Sequence, residues 1–147
     1  MSIEDDVALL ERVPTLRLLG STSLRMLAIG SEQRDVAHGD TLFRQGDDAD
    51  CGFVVQRGAL RIQNDSGAEI TAGPGALIGE LALLVAMPRP STATALENST
   101  IIRIARNLFQ RVLENDPKAA QRLRDDLANR SSQITSGLLR AGARLRA

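Results

Sequence analysis

The sequence has few of the residues that catalytic and metal sites usually require. It contains one cysteine, Cys51, one histidine, His38, and neither tryptophan nor tyrosine. One cysteine excludes an intramolecular disulfide and a cysteine-rich metal site. One histidine argues against a histidine-clustered metal site and against a catalytic triad built on histidine. We therefore expect a protein that is not an enzyme and that carries no metal and no cofactor.

The chain also has no excess of charge of either sign, since 18 basic residues are balanced by 18 acidic ones. Nucleic-acid-binding domains usually carry a basic surplus. The three phenylalanines are too few for a platform on which single-stranded bases stack. No apolar run is long enough to span a membrane, and the N-terminus MSIEDDVALLERV lacks the features of a signal peptide. The composition predicts a cytoplasmic protein with no membrane partner.

The hydrophobic pattern changes twice along the chain. Residues 1–30 have the spacing of amphipathic helices, and so do residues 106–147. Between them, over residues 31–105, short apolar stretches alternate with turn residues about every eight to twelve positions, which is typical of a small antiparallel sandwich or barrel. We predict a single domain over residues 1–147, mainly β with flanking helices. The predicted turns contain Gly39, Gly46, Gly58 and Gly67.

Helix ends can also be predicted. Ser21 or Thr22 would cap the second N-terminal helix, and Gly30 would end it. Near the other end of the chain, Asp116 is a suitable N-cap and Pro117 occupies the favoured first helical position. The sequence thus predicts a long last helix that begins at Pro117.

The predicted last helix has a narrow apolar seam. Four apolar residues follow one another at spacings of 4, 7 and 4, namely Leu123, Leu127, Ile134 and Leu138. This spacing resembles a heptad pattern. The seam would pack on the rest of the chain, on a partner helix, or on both. We expect a partner to contribute, which predicts a homodimer formed through this helix.

One acid and one base lie in otherwise apolar surroundings in the segment IGELALLVAMPRPSTATA. Isolated charges are costly to bury, so Glu80 and Arg89 are expected to pair or to bind something charged. Arg89 has the forked donor geometry that suits a phosphate, and Glu80 can accept a hydrogen bond from a sugar hydroxyl. Gly79 allows close backbone approach, and ELALL can form a short helical turn whose N–H groups face an anion. The segment suits a ligand with one phosphate and one ribose.

Two other interpretations of these residues remain. Glu80 and Arg89 could form a structural ion pair that binds nothing. Ser91 could act as a nucleophile, but this needs a base, and His38 is far away along the chain in a predicted turn.

The stretch GELALLVAMPRPSTATA resembles the phosphate-binding cassette of cyclic nucleotide-binding domains. Upstream, LFRQGDDADCGFVVQRGALRI is similar to the glycine-punctuated hairpins of that family. The resemblance implies an antiparallel β-roll (a double-stranded β-helix, like a jelly roll) with N-terminal helices, a short cassette helix and two C-terminal helices. It also implies that Glu80 takes the ribose 2′-hydroxyl and Arg89 the cyclic phosphate. The implied binding residues in the cassette are Gly79, Glu80, Leu81, Ala82, Arg89, Pro90, Ser91 and Thr92.

The cassette departs from the family pattern after the arginine. The family usually has a small residue there, whose backbone N–H contacts the phosphate, whereas Pro90 has no N–H. A Ser91 or Thr92 hydroxyl could replace this donor. Upstream, Gly52 stands where the family usually starts an apolar strand. We expect weaker nucleotide binding than in family members with alanine after the arginine.

The last helix resembles the C-helix of the catabolite activator branch of the family, which places Thr135 near the adenine. The chain ends about where a helix-turn-helix would follow in that branch, so we expect no DNA-binding domain in this chain. The resemblance implies a regulatory module that senses a cyclic purine nucleotide, cAMP rather than cGMP. The alternative is a degenerate domain that has lost the nucleotide and serves protein–protein interaction.

Overall fold

The computed structural model describes the backbone of residues 2–141 and the side chains of residues 2–129. Thr135, Ile134 and Leu138 therefore belong to the last helix by their backbone, while their side chains lie outside the described residues. The roles predicted for them stay predictions. In the described part, no helix combines the length and apolar character needed to cross a membrane.

The N-terminal part is helical, as predicted. It contains α1 (Ile3–Glu11), a 3₁₀ helix (Leu16–Leu19) and α2 (Ser21–Gly30). The prediction that Ser21 or Thr22 caps α2 is wrong. Gly20 is the N-cap, with φ of 84°, and Ser21 is already the first helical residue. Gly20 turns the chain directly from the 3₁₀ helix into α2, so the helix begins before either hydroxyl can cap it.

Short antiparallel strands follow between the helical regions and form the β-roll. The strands are β1 (Glu32–Val36), β2 (Thr41–Phe43), β3 (Asp48–Ala49), β4 (Cys51–Arg57), β5 (Leu60–Gln63), β6 (Glu69–Ala72), β7 (Leu77–Ile78), β8 (Met87–Pro88), β9 (Thr92–Ala95) and β10 (Ser99–Ala105). One sheet has the order β1-β10-β4-β7, the second has the order β2-β9-β5-β6, and β3 pairs with β8 in a small ribbon. The glycines in the predicted turns all have positive φ.

Strand β4 is buried on both faces, which explains why its sequence is almost continuously apolar. Phe53 and Val55 point into the roll, where they join the core between the sheets. Val54 points the other way, into a second core formed with the helices. Strand β10 does the same with Ile101 on the roll side and Ile102 on the helical side. These two central strands join the roll to the helical layer.

The C-terminal helices are α3 (Arg106–Glu114) and α4 (Pro117–Ala141). The predicted N-cap is confirmed, because Asp116 Oδ1 accepts a hydrogen bond of 3.1 Å from the backbone N–H of Ala119. Asp116 Oδ2 also accepts from the Ser23 hydroxyl at 3.1 Å, which links the start of α4 to α2. The fold is mainly β with flanking helices, as the sequence predicts.

The apolar seam of α4 faces the chain's own core at its N-terminal end. Leu123 is only 2% exposed and is part of the helical core, and the half-buried Leu127 packs against it. At Leu123 the seam therefore packs on the rest of the chain, which is one of the alternatives that the sequence leaves open. The start of α4 has to cover the core formed by α1, α2 and α3, so this residue is not available to a second chain. The homodimer itself stays a prediction.

Candidate functional site

The cassette segment folds around a pocket between a four-residue 3₁₀ helix (Glu80–Leu83), here called the cassette helix, and the ribbon of β3 and β8. In the ribbon, Ala49 pairs with Met87, and both residues line the pocket. The sequence pattern did not indicate either of them. Six of the nine predicted binding residues line this pocket. Its described lining consists of Ala49, Gly79, Glu80, Leu81, Ala82, Met87, Arg89 and Pro90.

Gly79 connects β7 to the cassette helix and has left-handed backbone geometry, with φ of 77°. A Cβ atom on Gly79 would lie 2.5 Å from Arg89 Nη1. Glycine is therefore required twice, by the backbone conformation and by the close approach of the guanidinium. Gly52, which departs from the family pattern, has a related role: a Cβ there would lie 3.1 Å from the Leu83 side chain. Because Gly52 has no Cβ, the cassette helix can pack directly on β4.

The backbone of Arg89 is fixed on both sides. Its N–H donates to the Asp47 carbonyl at 2.7 Å, and its carbonyl accepts from the Gly46 N–H at 2.9 Å. The turn between β2 and β3 thus holds the residue in place. This is a backbone contact between residues about forty positions apart, so the hydrophobic pattern of the sequence carries no signal for it.

The guanidinium of Arg89 is buried on an aromatic cradle, a term we use for Phe43 and Phe53. The residue is 4% exposed. Its Cζ lies 4.4 Å from the ring centroid of Phe43 and 5.3 Å from that of Phe53. Two of the chain's three phenylalanines therefore make cation–π contacts with a single arginine. Nη2 donates to the Cys51 carbonyl at 3.0 Å and lies 3.3 Å from its sulfur.

No carboxylate within residues 2–129 pairs with Arg89, so the interpretation of Glu80 and Arg89 as a structural ion pair is wrong. Burial raises the pKa of the Cys51 thiol, which stays neutral at physiological pH and does not balance the positive charge. Arg89 Nη1 is buried and has no hydrogen-bond partner among the described side chains and backbone. A buried charged donor without a partner is costly, and an anion in the pocket would satisfy it.

Glu80 also lines the pocket and is half-buried. Its Oε2 accepts a hydrogen bond of 2.6 Å from the hydroxyl of Thr15, a buried residue between α1 and the first 3₁₀ helix. Sequence reasoning missed Thr15, because 65 positions separate it from Glu80 and no local motif connects them. The acid and the base thus point to one pocket but are held by different parts of the fold.

The residues after Arg89 have three different environments. Pro90 is exposed and lines the pocket, and its nitrogen provides no donor. The Ser91 hydroxyl is fully buried and, within the described part of the chain, has no partner. Thr92 Oγ1 accepts from the Gln45 N–H at 2.9 Å. Neither Ser91 nor Thr92 is among the described residues that line the pocket.

Replacing Gly79 with alanine is expected to weaken both folding and ligand binding. Left-handed geometry costs a non-glycine residue about 1–2 kcal/mol, and the new Cβ displaces Arg89 Nη1. Gly39→Ala is the matched control, because Gly39 also has positive φ, 87°, and nothing lies within 4 Å of its Cβ position. Urea unfolding measures the first effect, and calorimetric titration with cAMP, the ligand that the sequence resemblance implies, measures the second. Equal binding by the two variants would contradict the close contact between Gly79 and Arg89.

The sequence profile of the cyclic nucleotide-binding domain matches residues 33–116. The chain belongs to the cyclic nucleotide-binding domain family. The matched region runs from β1 to the start of α4 and includes the whole pocket. It excludes Thr15.

Two solved structures are similar to the chain in sequence and fold. The N-terminal domain of a transcriptional regulator from Streptomyces coelicolor A3(2) is 29% identical, with a TM-score of 0.78, and the match covers 92% of this chain and 99% of that one. A cyclic nucleotide-binding-like protein from Brucella abortus is 36% identical, with a TM-score of 0.65, and the match covers 75% of this chain and 98% of that one.

A curated relative is the cAMP-dependent protein kinase regulatory subunit of Eremothecium gossypii. It is 32% identical over 108 residues, which cover 74% of this chain and 24% of the relative. The chain thus spans about a quarter of the length of such relatives. The family domain also occurs in an enzyme, since the lysophospholipase nte1 of Neurospora crassa is 29% identical over 127 residues, or 8% of its length.

Proposed function

We propose that the chain is a regulatory module that binds a cyclic purine nucleotide in the pocket of Gly79, Glu80 and Arg89. The observation that carries this proposal is Arg89: its side chain lines the pocket, and its buried Nη1 has no partner in the described structure. The aromatic cradle and the Cys51 carbonyl hold the guanidinium at this position. A phosphate oxygen is the complement of such a donor.

The second half of the ligand follows from Glu80. A carboxylate that lines the same pocket as a phosphate-binding arginine can accept a hydrogen bond from a sugar hydroxyl. The lining offers no other ionisable side chain among the described residues, so it suits a ligand with a single negative charge. This is the charge of a cyclic phosphodiester, whereas an open phosphate monoester would bring a second charge without a partner.

We propose cAMP rather than cGMP as the ligand. The support comes from the relatives, since the kinase regulatory subunit that is 32% identical to the chain is named as cAMP-dependent. No catalytic role is proposed. The pocket brings together one acid and one base that bind, without a nucleophile or a paired carboxylate between them.

Pro90 favours a second candidate function, a degenerate domain that binds a protein and no nucleotide. The proline removes one phosphate donor, and two apolar side chains are exposed, Leu81 on the cassette helix (42%) and Val85 just after it (54%). These residues would then belong to a protein interface.

Calorimetric titration of the purified chain with cAMP, cGMP, 5′-AMP and adenosine tests the proposal. We expect cAMP to bind most tightly and cGMP more weakly. Adenosine lacks the phosphate that Arg89 needs, and 5′-AMP brings an additional charge, so both are expected to bind poorly. No binding of either cyclic nucleotide at millimolar concentration would contradict the proposal and favour the protein-binding alternative.

A further inference from the structure

The hydrogen bond between Thr15 and Glu80 joins the N-terminal helical region to the pocket. Its length of 2.6 Å is at the short end of the range for hydrogen bonds donated by a hydroxyl to an oxygen. Thr15 is 5% exposed and does not line the pocket, so it has no access to a ligand. It also lies outside residues 33–116, the region that the family profile matches.

Thr15 is held on a rigid support. Its neighbour Leu16 is completely buried in the helical core. The Leu18 carbonyl, one turn further on, accepts a hydrogen bond of 2.8 Å from Arg122 Nε on α4. The segment is therefore fixed by the core on one side and by α4 on the other. A hydroxyl on such a support can fix the side chain to which it donates.

Glu80, in contrast, stands at the first position of a helix of four residues. A glutamate has three rotatable side-chain bonds and loses much rotamer freedom when it is held in one geometry. A carboxylate has about four acceptor positions, so a bond from Thr15 to Oε2 leaves the group able to accept another hydroxyl. The bond from Thr15 can therefore orient the carboxylate before the ligand binds, which reduces the side-chain entropy that is lost on binding.

We propose that Thr15 is a positioning residue of the ligand site: its hydroxyl fixes the Glu80 carboxylate for a hydrogen bond from the ribose 2′-hydroxyl of the nucleotide. This inference rests on the proposed function. Thr15 does not touch the ligand, but it determines how strongly the site distinguishes a ribose from a 2′-deoxyribose. Affinity for the phosphate, which depends on Arg89, is not affected by it.

The test compares the full chain with Thr15→Val, which keeps the shape and removes the hydroxyl, and with Thr15→Ser, which keeps the hydroxyl. Each protein is titrated calorimetrically with cAMP and with 2′-deoxy-cAMP. The matched control is Thr100→Val, because Thr100 Oγ1 also donates to a carboxylate, Asp35 Oδ1, at 3.0 Å and does not line the pocket. Thermal unfolding of every variant checks that it is folded.

We expect wild type to bind cAMP about tenfold or more tightly than 2′-deoxy-cAMP. Thr15→Val reduces this ratio to about one to three by weakening cAMP alone. Thr15→Ser and Thr100→Val keep the wild-type ratio. A purely structural role for Thr15 would weaken both ligands equally and leave the ratio unchanged, which overturns the inference. If Thr15→Val does not fold, Thr15→Ala removes the same hydroxyl without adding an apolar methyl group and is tested in the same way.

The two proposals fail in different ways. A wild-type chain that binds neither nucleotide contradicts the proposed function, and the inference falls with it. A wild-type chain that binds cAMP and distinguishes it from 2′-deoxy-cAMP, with Thr15→Val doing so equally well, contradicts only the role of Thr15.

Discussion

Arg89→Met is expected to lower the affinity for cAMP at least about a hundredfold and to raise the free energy of unfolding of the nucleotide-free protein by about 1 kcal/mol. The expected loss of affinity assumes that the two N–H groups of Nη1, which has no partner in the described structure, donate to the phosphate. Each such charge-assisted hydrogen bond is worth about 1.5–3 kcal/mol. The gain in stability follows from removing a buried charge whose Nη1 has no partner in the described structure. Calorimetry and urea unfolding measure the two effects.

Opposing contributions reduce this gain in stability. The substitution removes the cation–π contacts with the aromatic cradle and the bond to the Cys51 carbonyl. Together these contribute about 2–4 kcal/mol. The methionine sulfur keeps a favourable contact with the rings, and the cost of burying an isolated ion is several kcal/mol. The net result is therefore a small increase in the free energy of unfolding.

Arg106→Met is the matched control for Arg89→Met. Arg106 Nη1 also donates to a backbone carbonyl, that of Ala49, at 3.2 Å, and it does not line the pocket. We expect its affinity for cAMP to equal that of wild type. If Arg89→Met binds cAMP as wild type does, Arg89 does not contact the phosphate. If it is strongly destabilised instead, the arginine is primarily a structural residue.

The fold could be predicted from the sequence because its signals are local. Glycines with positive φ mark the turns, and β4 and β10 are apolar on both faces because each lies between two cores. The start of α4 could also be predicted from the sequence, since Asp116 and Pro117 are neighbours with well-defined positional preferences. The N-cap of α2 could not be predicted in this way, because Gly20 starts that helix by its backbone geometry, without a side-chain hydrogen bond.

The site could be predicted only in part. The predicted cassette residues lie within one short stretch of sequence, residues 79–92, and six of them line the pocket. The groups that support them come from distant positions: Cys51 is 38 residues from Arg89 and Thr15 is 65 residues from Glu80. Nothing in the local pattern of Phe43 or Phe53 distinguishes an aromatic cradle from ordinary core residues. Such contacts depend on how the sheets and helices pack, and only the three-dimensional structure contains this information.

Pro90→Ala is expected to bind cAMP more tightly than wild type, by up to about a hundredfold. Pro90 lines the pocket and is exposed, so a residue with an N–H at this position can present that donor to the phosphate. One hydrogen bond to a charged group is worth about 1.5–3 kcal/mol, which corresponds to roughly ten- to a hundredfold in affinity. The loss of the proline ring costs at most about 1 kcal/mol of stability through the unfolded chain. Calorimetric titration of both proteins with cAMP measures the change.

Ser91→Ala decides whether wild type already has a substitute for the missing N–H. The Ser91 hydroxyl is buried without a partner in the described structure and does not line the pocket. We therefore expect Ser91→Ala to leave the affinity for cAMP unchanged and to raise the free energy of unfolding by about 1 kcal/mol, because an unsatisfied polar group is removed. A Ser91→Ala protein that binds cAMP tenfold more weakly would show that the hydroxyl turns to the phosphate in the complex. In that case Pro90→Ala gains little, since the donor that it restores has already been replaced.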